Sequence, residues 1–316
     1  MSDLTDRLVL GTMYFGTRTD EVTSRALLDR FVEAGGRTID TADCYSFWTS
    51  DTGAGGQSEA VIGRWLADHP GLRDELVIAT KIGVEPVEPG RFDGPVEGLS
   101  AQVVHREVFR SMERLGLDRL DLLWAHAEDR DTELTETVAA MGALVSSGVV
   151  RRLGASNHAT WRVERARRIA ADLGVEPYTA IQPTTSYVHP RPGAQVPGKD
   201  HPFGFLTPEG IDHARENHLE IWAYSPLVQG SYDRADRPFP EEYDHPGTTR
   251  RLGALARVAD ELAARPSQVV LAWLLRQDPP VRPILGVSSV EQLDSALAAG
   301  RLELDEDALD ELDQPG

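Results

Sequence analysis

The sequence predicts an α/β fold. It reads as one domain over residues 1–316, with eight parallel strands closed into a (β/α)8 TIM barrel and long loops at the C-terminal face. Three observations carry the prediction. Eight short apolar runs recur along the chain, amphipathic stretches lie between many of them, and no strand leads into a G-x-G-x-x-G turn. Strands that alternate with helices imply parallel βαβ units. A closed eight-strand barrel uses about this length of chain, whereas the competing doubly wound sheet would carry a glycine fingerprint at its first turn.

In order, the strands are expected at Leu8–Gly11, Thr38–Thr41, Leu76–Lys81, Leu120–Trp124, Val150–Ala155, Thr179–Gln182, Glu220–Tyr224 and Val281–Leu285. Ser24–Glu33, Glu59–Ala67, Val103–Arg114, Leu134–Val145 and Leu252–Leu262 carry apolar residues three and four apart, the spacing of a helix with one buried face. Val269–Arg276 reads as a continuation of the last of these. Gly35 and Gly148 stand where helix C-caps are expected. Tyr45–Ser58, Tyr187–Leu206 and Gly230–Gly247 read as long loops, which in a barrel gather where the strands end. Gly53–Gly56 follows no strand and reads as a flexible loop. No repeat, coiled coil, low-complexity tail or inter-domain linker interrupts the pattern.

The net charge of −19 argues against nucleic acid and against anionic lipid as partners, because both require a basic surface. It also means that an anionic cofactor must be met by a local basic pocket or by backbone amides. Cys44 is the only cysteine, so no intrachain disulfide is expected, in keeping with a reducing compartment. The N-terminus lacks a basic region followed by an apolar stretch, and no apolar run approaches the roughly 18 residues that span a membrane. A soluble cytoplasmic protein is the expectation. A monomer is compatible with the sequence, which leaves the oligomeric state open.

Four polar residues stand at or just after strand ends: Asp40 closes RTID, Tyr45 follows five residues on, Lys81 closes LVIATK and His126 follows LDLLWA. The C-terminal strand ends of a barrel converge on one face, where these four can meet. They form a coherent chemical set. A phenol normally titrates near pH ~10, and a neighbouring ammonium favours its phenolate. An aspartate beside the lysine keeps it charged and in place, and a histidine can orient a substrate oxygen. Such a tyrosine can act as general acid toward an oxygen that gains charge. Each residue alone has a blander reading, as a helix cap, a solvated charge, a structural histidine or barrel packing; the argument rests on the four together.

LGTMYFG (residues 10–16), IDTADCY (39–45), QSEAVIG (57–63), ATK (79–81), DLLWAH (121–126), GASN (154–157), IQP (181–183), AYSPL (223–227) and ILGVSS (284–289) occur in this order. Through them nearly the whole chain resembles the aldo-keto reductase superfamily, in particular its branch of bacterial reductases and potassium-channel β subunits. The resemblance implies an NAD(P)H-dependent oxidoreductase that reduces an aldehyde or ketone to an alcohol, with Tyr45 as general acid, Lys81 and Asp40 tuning it, and His126 orienting the carbonyl. It implies a cofactor track through Gly11, Thr12, Met13 and Asp40, with Ser156, Asn157 and Gln182 on the carboxamide and Tyr224 stacked on the nicotinamide. Ser225, Leu227, Gln229 and Gly230 would cover the pyrophosphate, and Gly286, Ser288 and Gln292 would hold the adenosine end.

NADP(H) is the favoured cofactor and NAD(H) the alternative, because Ser288 stands where many relatives carry a basic residue for the 2′-phosphate. Ser288, Ser289, the helix start near Val290, and Arg282 or Arg276 are the groups that could meet that phosphate. Seven residues before Leu8 are too few for the hairpin that usually plugs the barrel bottom. Tyr14, Phe47, Trp48, Trp124 and Tyr187 are the candidate substrate-pocket aromatics, a set that suits many small carbonyls, sugars included; for Phe47 and Trp48 the alternative is that they anchor their loop. Two rivals remain. A cofactor-binding redox sensor or interaction subunit could use the same fold, and a barrel hydrolase would need a metal cluster or carboxylate pair, of which the sequence shows no signature.

Overall fold

The computed structural model describes residues 3–91, 93–196 and 204–314. Eight strands are present: β1 (Val9–Gly11), β2 (Thr38–Asp40), β3 (Val77–Ile82), β4 (Leu122–Ala125), β5 (Leu153–Ser156), β6 (Tyr178–Gln182), β7 (Glu220–Ala223) and β8 (Val281–Gly286). Each pairs in parallel with the next, and β8 closes on β1 through Val9↔Ile284, Leu10↔Leu285 and Gly11↔Gly286. The helices are α1 (Glu21–Glu33), α2 (Gln57–Asp68), α3 (Ala101–Leu115), α4 (Leu134–Ser146), α5 (Thr160–Leu173), α6 (Pro208–Glu216), α7 (Pro246–Glu261), α8 (Pro266–Leu275), α9 (Val290–Leu297) and α10 (Glu306–Asp313). The fold is the predicted (β/α)8 barrel.

Every expected strand is found within a few residues of its place. The helical region from Leu252 does not run on: Ala263 takes a left-handed φ of 48°, and Pro266 starts α8 afresh. In α5 the run RVERARR thins the apolar stripe, so the helix shows little periodicity in sequence. Gly35 and Gly148 take positive φ just past α1 and α4, as C-caps do. The stretch 53–56 is not slack. A Cβ on Gly55 would lie 2.4 Å from the Asp43 carbonyl oxygen, so the loop packs directly against the backbone before Tyr45.

Alternation along each strand sorts side chains between two cores. One lies between barrel and helices. The other fills the barrel with Val9, Ala79, Leu122, Trp124, Ala180, Trp222 and Ile284. Trp124 meets Trp222 edge-on at 5.1 Å, and a Cβ on Gly154 would come within 2.3 Å of the Trp124 ring. Only glycine at 154 leaves room for that indole.

Polar layers close the barrel at both ends. At the bottom, Arg282 donates to the carbonyls of Arg7 (3.1 Å) and Asp6 (3.2 Å) and to Thr38 Oγ1 (2.8 Å), lies over the Trp222 ring, and faces Glu220 at 3.6 Å. Glu220 also accepts from Arg152 (2.6 Å) and from the Trp222 indole (3.0 Å). The 3-10 turn Thr5–Arg7 and this network cover the end where a hairpin was not expected. Arg282 therefore points away from the C-terminal face, and Arg276 is spent on the carbonyls of Ala272 and Leu302. Neither is where a 2′-phosphate was expected to find it.

Candidate active site

The same alternation brings Asp40, Lys81, Ser156 and Gln182 to the C-terminal ends of β2, β3, β5 and β6, while His126 and Tyr224 follow β4 and β7 directly. Lys81 is fully buried and makes three bonds: Nζ donates to Asp40 Oδ2 (2.5 Å), to the Thr41 carbonyl (2.7 Å) and to the Tyr45 hydroxyl (2.8 Å). The His126 ring stands edge-on to Tyr45 at 5.9 Å. All four expected residues thus meet in one place.

Burial dominates their titration. It raises the Asp40 carboxyl against the pull of Lys81, and lowers the Lys81 ammonium against the pull of Asp40. The Tyr45 phenol is pushed well above its ordinary value by burial and then by Asp40. This differs from the depression expected of a phenol beside an ammonium, because desolvation of the phenolate outweighs the 2.8 Å contact. His126 is held well below its usual range by burial and by Lys81, so its ring is neutral. The Cys44 thiol is pushed well up by burial and lies with Sγ 3.6 Å from His126 Nδ1. The direction of this contact follows the imidazole tautomer: with the ring proton on Nε2 the thiol donates to Nδ1. The sequence reading treated Cys44 only as a redox marker, although its place beside Tyr45 was visible.

The expected cofactor residues form a linked set on the same face. Gln182 Nε2 donates to Asp40 Oδ1 (3.1 Å), Ser156 Oγ to the Gln182 carbonyl (2.9 Å), Asn157 Nδ2 to the His126 carbonyl (3.0 Å), and the Tyr224 hydroxyl to Asn157 Oδ1 (2.6 Å). Gly11 allows β1 to approach Ile284 closely, Thr12 is buried against the Asp40 carbonyl, and Met13 is exposed above it. Ser225, Val228 and Gln229 take left-handed φ of 52°, 45° and 57°, followed by Gly230 at 93°, with Leu227 half-buried between them. Of the seven non-glycine residues with positive φ among the described residues, five (Ser46, Asn157, Ser225, Val228 and Gln229) follow barrel strands at this face. Backbone strain of that kind gathers at functional sites. At the far end, Gly286 is open, the Ser288 amide and hydroxyl both donate to Gln292 Oε1, and Ser289 caps α9. Arg30 pairs there with Asp294 at 2.6 Å.

The aromatic candidates divide. Trp48 stands edge-on to half-buried Tyr14 at 6.1 Å and to Phe47 at 5.0 Å, with Arg18 over the Tyr14 ring. Phe47 is mostly buried against Ala42 and Cys44 and anchors its loop. Two expectations are corrected. Trp124 belongs to the barrel interior rather than to an open pocket wall. Tyr187 is fully buried between the chain and the outer helices, donating to the Leu312 carbonyl and packing on Trp273 and Arg251, because its segment runs outward from the barrel.

A strand-end array of this kind on a closed barrel is that of an oxidoreductase. Residues 7–315 match the model of the aldo/keto reductase family, and the chain belongs to that family. It is 30% identical over 312 residues to the uncharacterized oxidoreductase YrpG of Bacillus subtilis, covering 96% of this chain and 90% of that protein. It is 29% identical to the norsolorinic acid reductase stcV of Emericella nidulans (97% and 77% covered) and 29% identical to an aryl-alcohol dehydrogenase of Pestalotiopsis microspora (91% and 71% covered). The family acts on small carbonyl compounds with NAD(P)H. Among the described residues, no helix is long and apolar enough to cross a membrane.

Proposed function

We propose that the protein reduces an aryl aldehyde or aryl ketone to its alcohol, with Tyr45 as general acid. The observation that carries this reading is the threefold grip of Lys81, 2.8 Å from the Tyr45 hydroxyl. A phenol raised by burial stays protonated at neutral pH and so holds the proton to be given. The Lys81 ammonium then faces the phenolate oxygen that remains, and Asp40 keeps that ammonium charged and in place. Neutral His126, fixed by Cys44, presents Nε2–H to the substrate oxygen. Trp48 and Tyr14 supply flat apolar surface at the mouth, which suits an aromatic substrate, as does the name of the aryl-alcohol dehydrogenase relative.

The donor set suits a nicotinamide dinucleotide, which supplies the hydride when bound. Ser156, Asn157 and Gln182 bond mainly to one another and to Asp40, His126 and Tyr224, so a carboxamide can take over bonds already aligned. Tyr224 offers a ring beside them, and Ser225, Leu227, Gln229 and Gly230 a strained segment over the pyrophosphate. NADP(H) is accepted through the hydroxyls of Ser288 and Ser289 and the amides at the start of α9. Arg30 is paired with Asp294, and discrimination against NAD(H) is accordingly modest.

The test measures dissociation constants for NADPH and NADH, and reduction rates with benzaldehydes of graded size, for wild type and Tyr45→Phe. The substitution should lower reduction by about 10²–10⁴-fold while leaving dinucleotide binding within a few fold. Wild-type binding without turnover on any carbonyl would favour the sensor reading, and an active Tyr45→Phe enzyme would remove the general-acid assignment.

A further inference from the structure

Beneath the Tyr45 loop lies an acidic cluster that carbonyl reduction does not use. Asp43 is 1% exposed, and neither of its carboxylate oxygens has a hydrogen-bond partner among the described residues. The Cys44 amide and thiol act on it electrostatically without meeting hydrogen-bond geometry. Buried Oε2 atoms of Glu85 and Glu97 are unpartnered as well. Asp43, Glu97 and Glu107 each bring a carboxylate oxygen within 4.8 Å of the other two.

Three cations sit on the cluster, and none of them reaches Asp43 or the free Oε2 atoms of Glu85 and Glu97. Arg114 bonds Glu59 at 3.0 Å, Arg110 bonds Glu107 at 3.0 Å, and Arg106 is shared between Glu97 and Glu107. Five carboxyl groups, of Asp43, Glu59, Glu85, Glu97 and Glu107, thus stand against three guanidinium groups, so full ionisation of the cluster would leave two negative charges unmatched. Buried charges persist only when paired or bound to metal.

We propose that Asp43, Glu97 and Glu107, with Glu85 beside them, bind one hard divalent cation, calcium by preference. Carboxylate oxygens select calcium or magnesium over the softer metals. Calcium–oxygen bonds of about 2.3–2.6 Å allow ligand oxygens up to about 5 Å apart, and these three oxygens all lie within 4.8 Å of one another. Magnesium demands shorter bonds and holds its waters. The second charge of the ion closes the deficit. Asp43 also lies within 4.8 Å of Cys44 Sγ and His126 Nδ1, but those two softer donors already bond to each other. The bound ion joins three segments: the chain two residues before Tyr45, the segment 83–100 after β3, and α3. Glu85 already reaches across by accepting the Gly55 amide at 2.8 Å. The ligands are dispersed over residues 43–107, which is why the sequence carries no metal signature.

The experiment titrates CaCl2, and separately MgCl2 and ZnCl2, into the full chain after chelator treatment, following heat and thermal unfolding. One calcium ion per chain should bind, more tightly than magnesium, and a hundredfold excess over Kd should raise Tm by about 5 °C. Asp43→Asn and Glu97→Gln should each weaken calcium binding at least tenfold; Glu97 lies nearer the surface and tests the idea if Asp43→Asn folds poorly. No calcium heat and an unmoved Tm would overturn the proposal, since protons would then neutralise the cluster. So would calcium binding untouched by Glu97→Gln, or a preference for zinc that Cys44→Ala abolishes. None of these readings depends on turnover.

Discussion

The two ends of the barrel are built from the same materials and do opposite things with them. At the bottom, Arg282, Glu220, Arg152, Trp222 and Thr38 bond to one another and to the Thr5–Arg7 turn. Glu220 keeps its charge readily, because Arg152 and the Trp222 indole outweigh its burial. At the top, Lys81, Asp40 and Tyr45 are bonded just as closely, yet burial wins over pairing in all three. His218, just before β7, takes a positive φ at the bottom, but among the described residues five of the seven such non-glycine positions lie on the loops at the top. The difference teaches that saturation of hydrogen bonds does not distinguish a plug from a reactive centre. What distinguishes them is the acid: Glu220 is favoured as its carboxylate, whereas burial disfavours the charged form of Asp40, and the two cations, Arg282 and Lys81, are both lowered chiefly by burial.

Lys81→Met breaks the comparison most severely at the top. It should lower the rate of carbonyl reduction by about 10²–10⁴-fold, comparable to loss of the general acid. Tm should also fall, because Asp40 is left buried without its partner, by less than a stranded carboxylate would cause since burial already favours its protonated form; steady-state rates beside thermal melts decide. Arg282→Met is the matching change at the bottom. It should destabilise the fold by about 3 kcal/mol, with Glu220 still held by Arg152, and leave kcat within twofold; a large loss of kcat with unchanged stability would show that the ends are not separable.

The two ends should also separate by pH. His126 is held neutral, so the unfolded chain takes up a proton near pH 6.5 that the folded site refuses. Stability from this group is present above that pH and is lost as pH falls below it. Glu220, held below its usual value, contributes above about pH 4.5 and loses its contribution only under stronger acid. In urea titrations His126→Asn should flatten the pH dependence between 6.5 and 5, and Glu220→Gln only below that window. The smallest effect is expected of Cys44→Ala. It removes the thiol that orients His126 and should lower kcat several-fold with little change in dinucleotide affinity. An unchanged kcat would mean that the imidazole is placed by its neighbours alone.

Much of this was legible in the sequence. The eight strands and the four strand-end residues follow from alternation and order, which are local signals. Arg282 could have been placed by the same rule: it stands two residues before the inward Ile284 and therefore points into the barrel bottom, not toward a phosphate. Tyr187 could not, because whether a loop residue turns inward or outward depends on α7, α8 and α10 against which it packs. Trp124 was seen as pocket-facing, since an aromatic residue on a strand gives no sign of its depth. Asp43 and its four glutamates are spread over the loop after β2, α2, the segment after β3 and α3, and only folding brings them together. Glu85 shows the result, its carboxyl pushed up to about 7 mainly by burial.

The indole of Trp124, seated over Gly154 and edge-on to Trp222, fills the barrel beside Lys81 on the neighbouring strand and makes a rigid support under the strand-end residues. Variation that deepens the site would have to replace two tryptophans and a glycine in concert, each substitution opening a void or a clash for the others. Change at Tyr14 or Trp48 faces no such coupling. The range of substrates that descendants or engineered variants of this enzyme can reach is therefore set by width at the rim rather than by depth, and a search of sequence space for new specificity should spend its mutations on the loops.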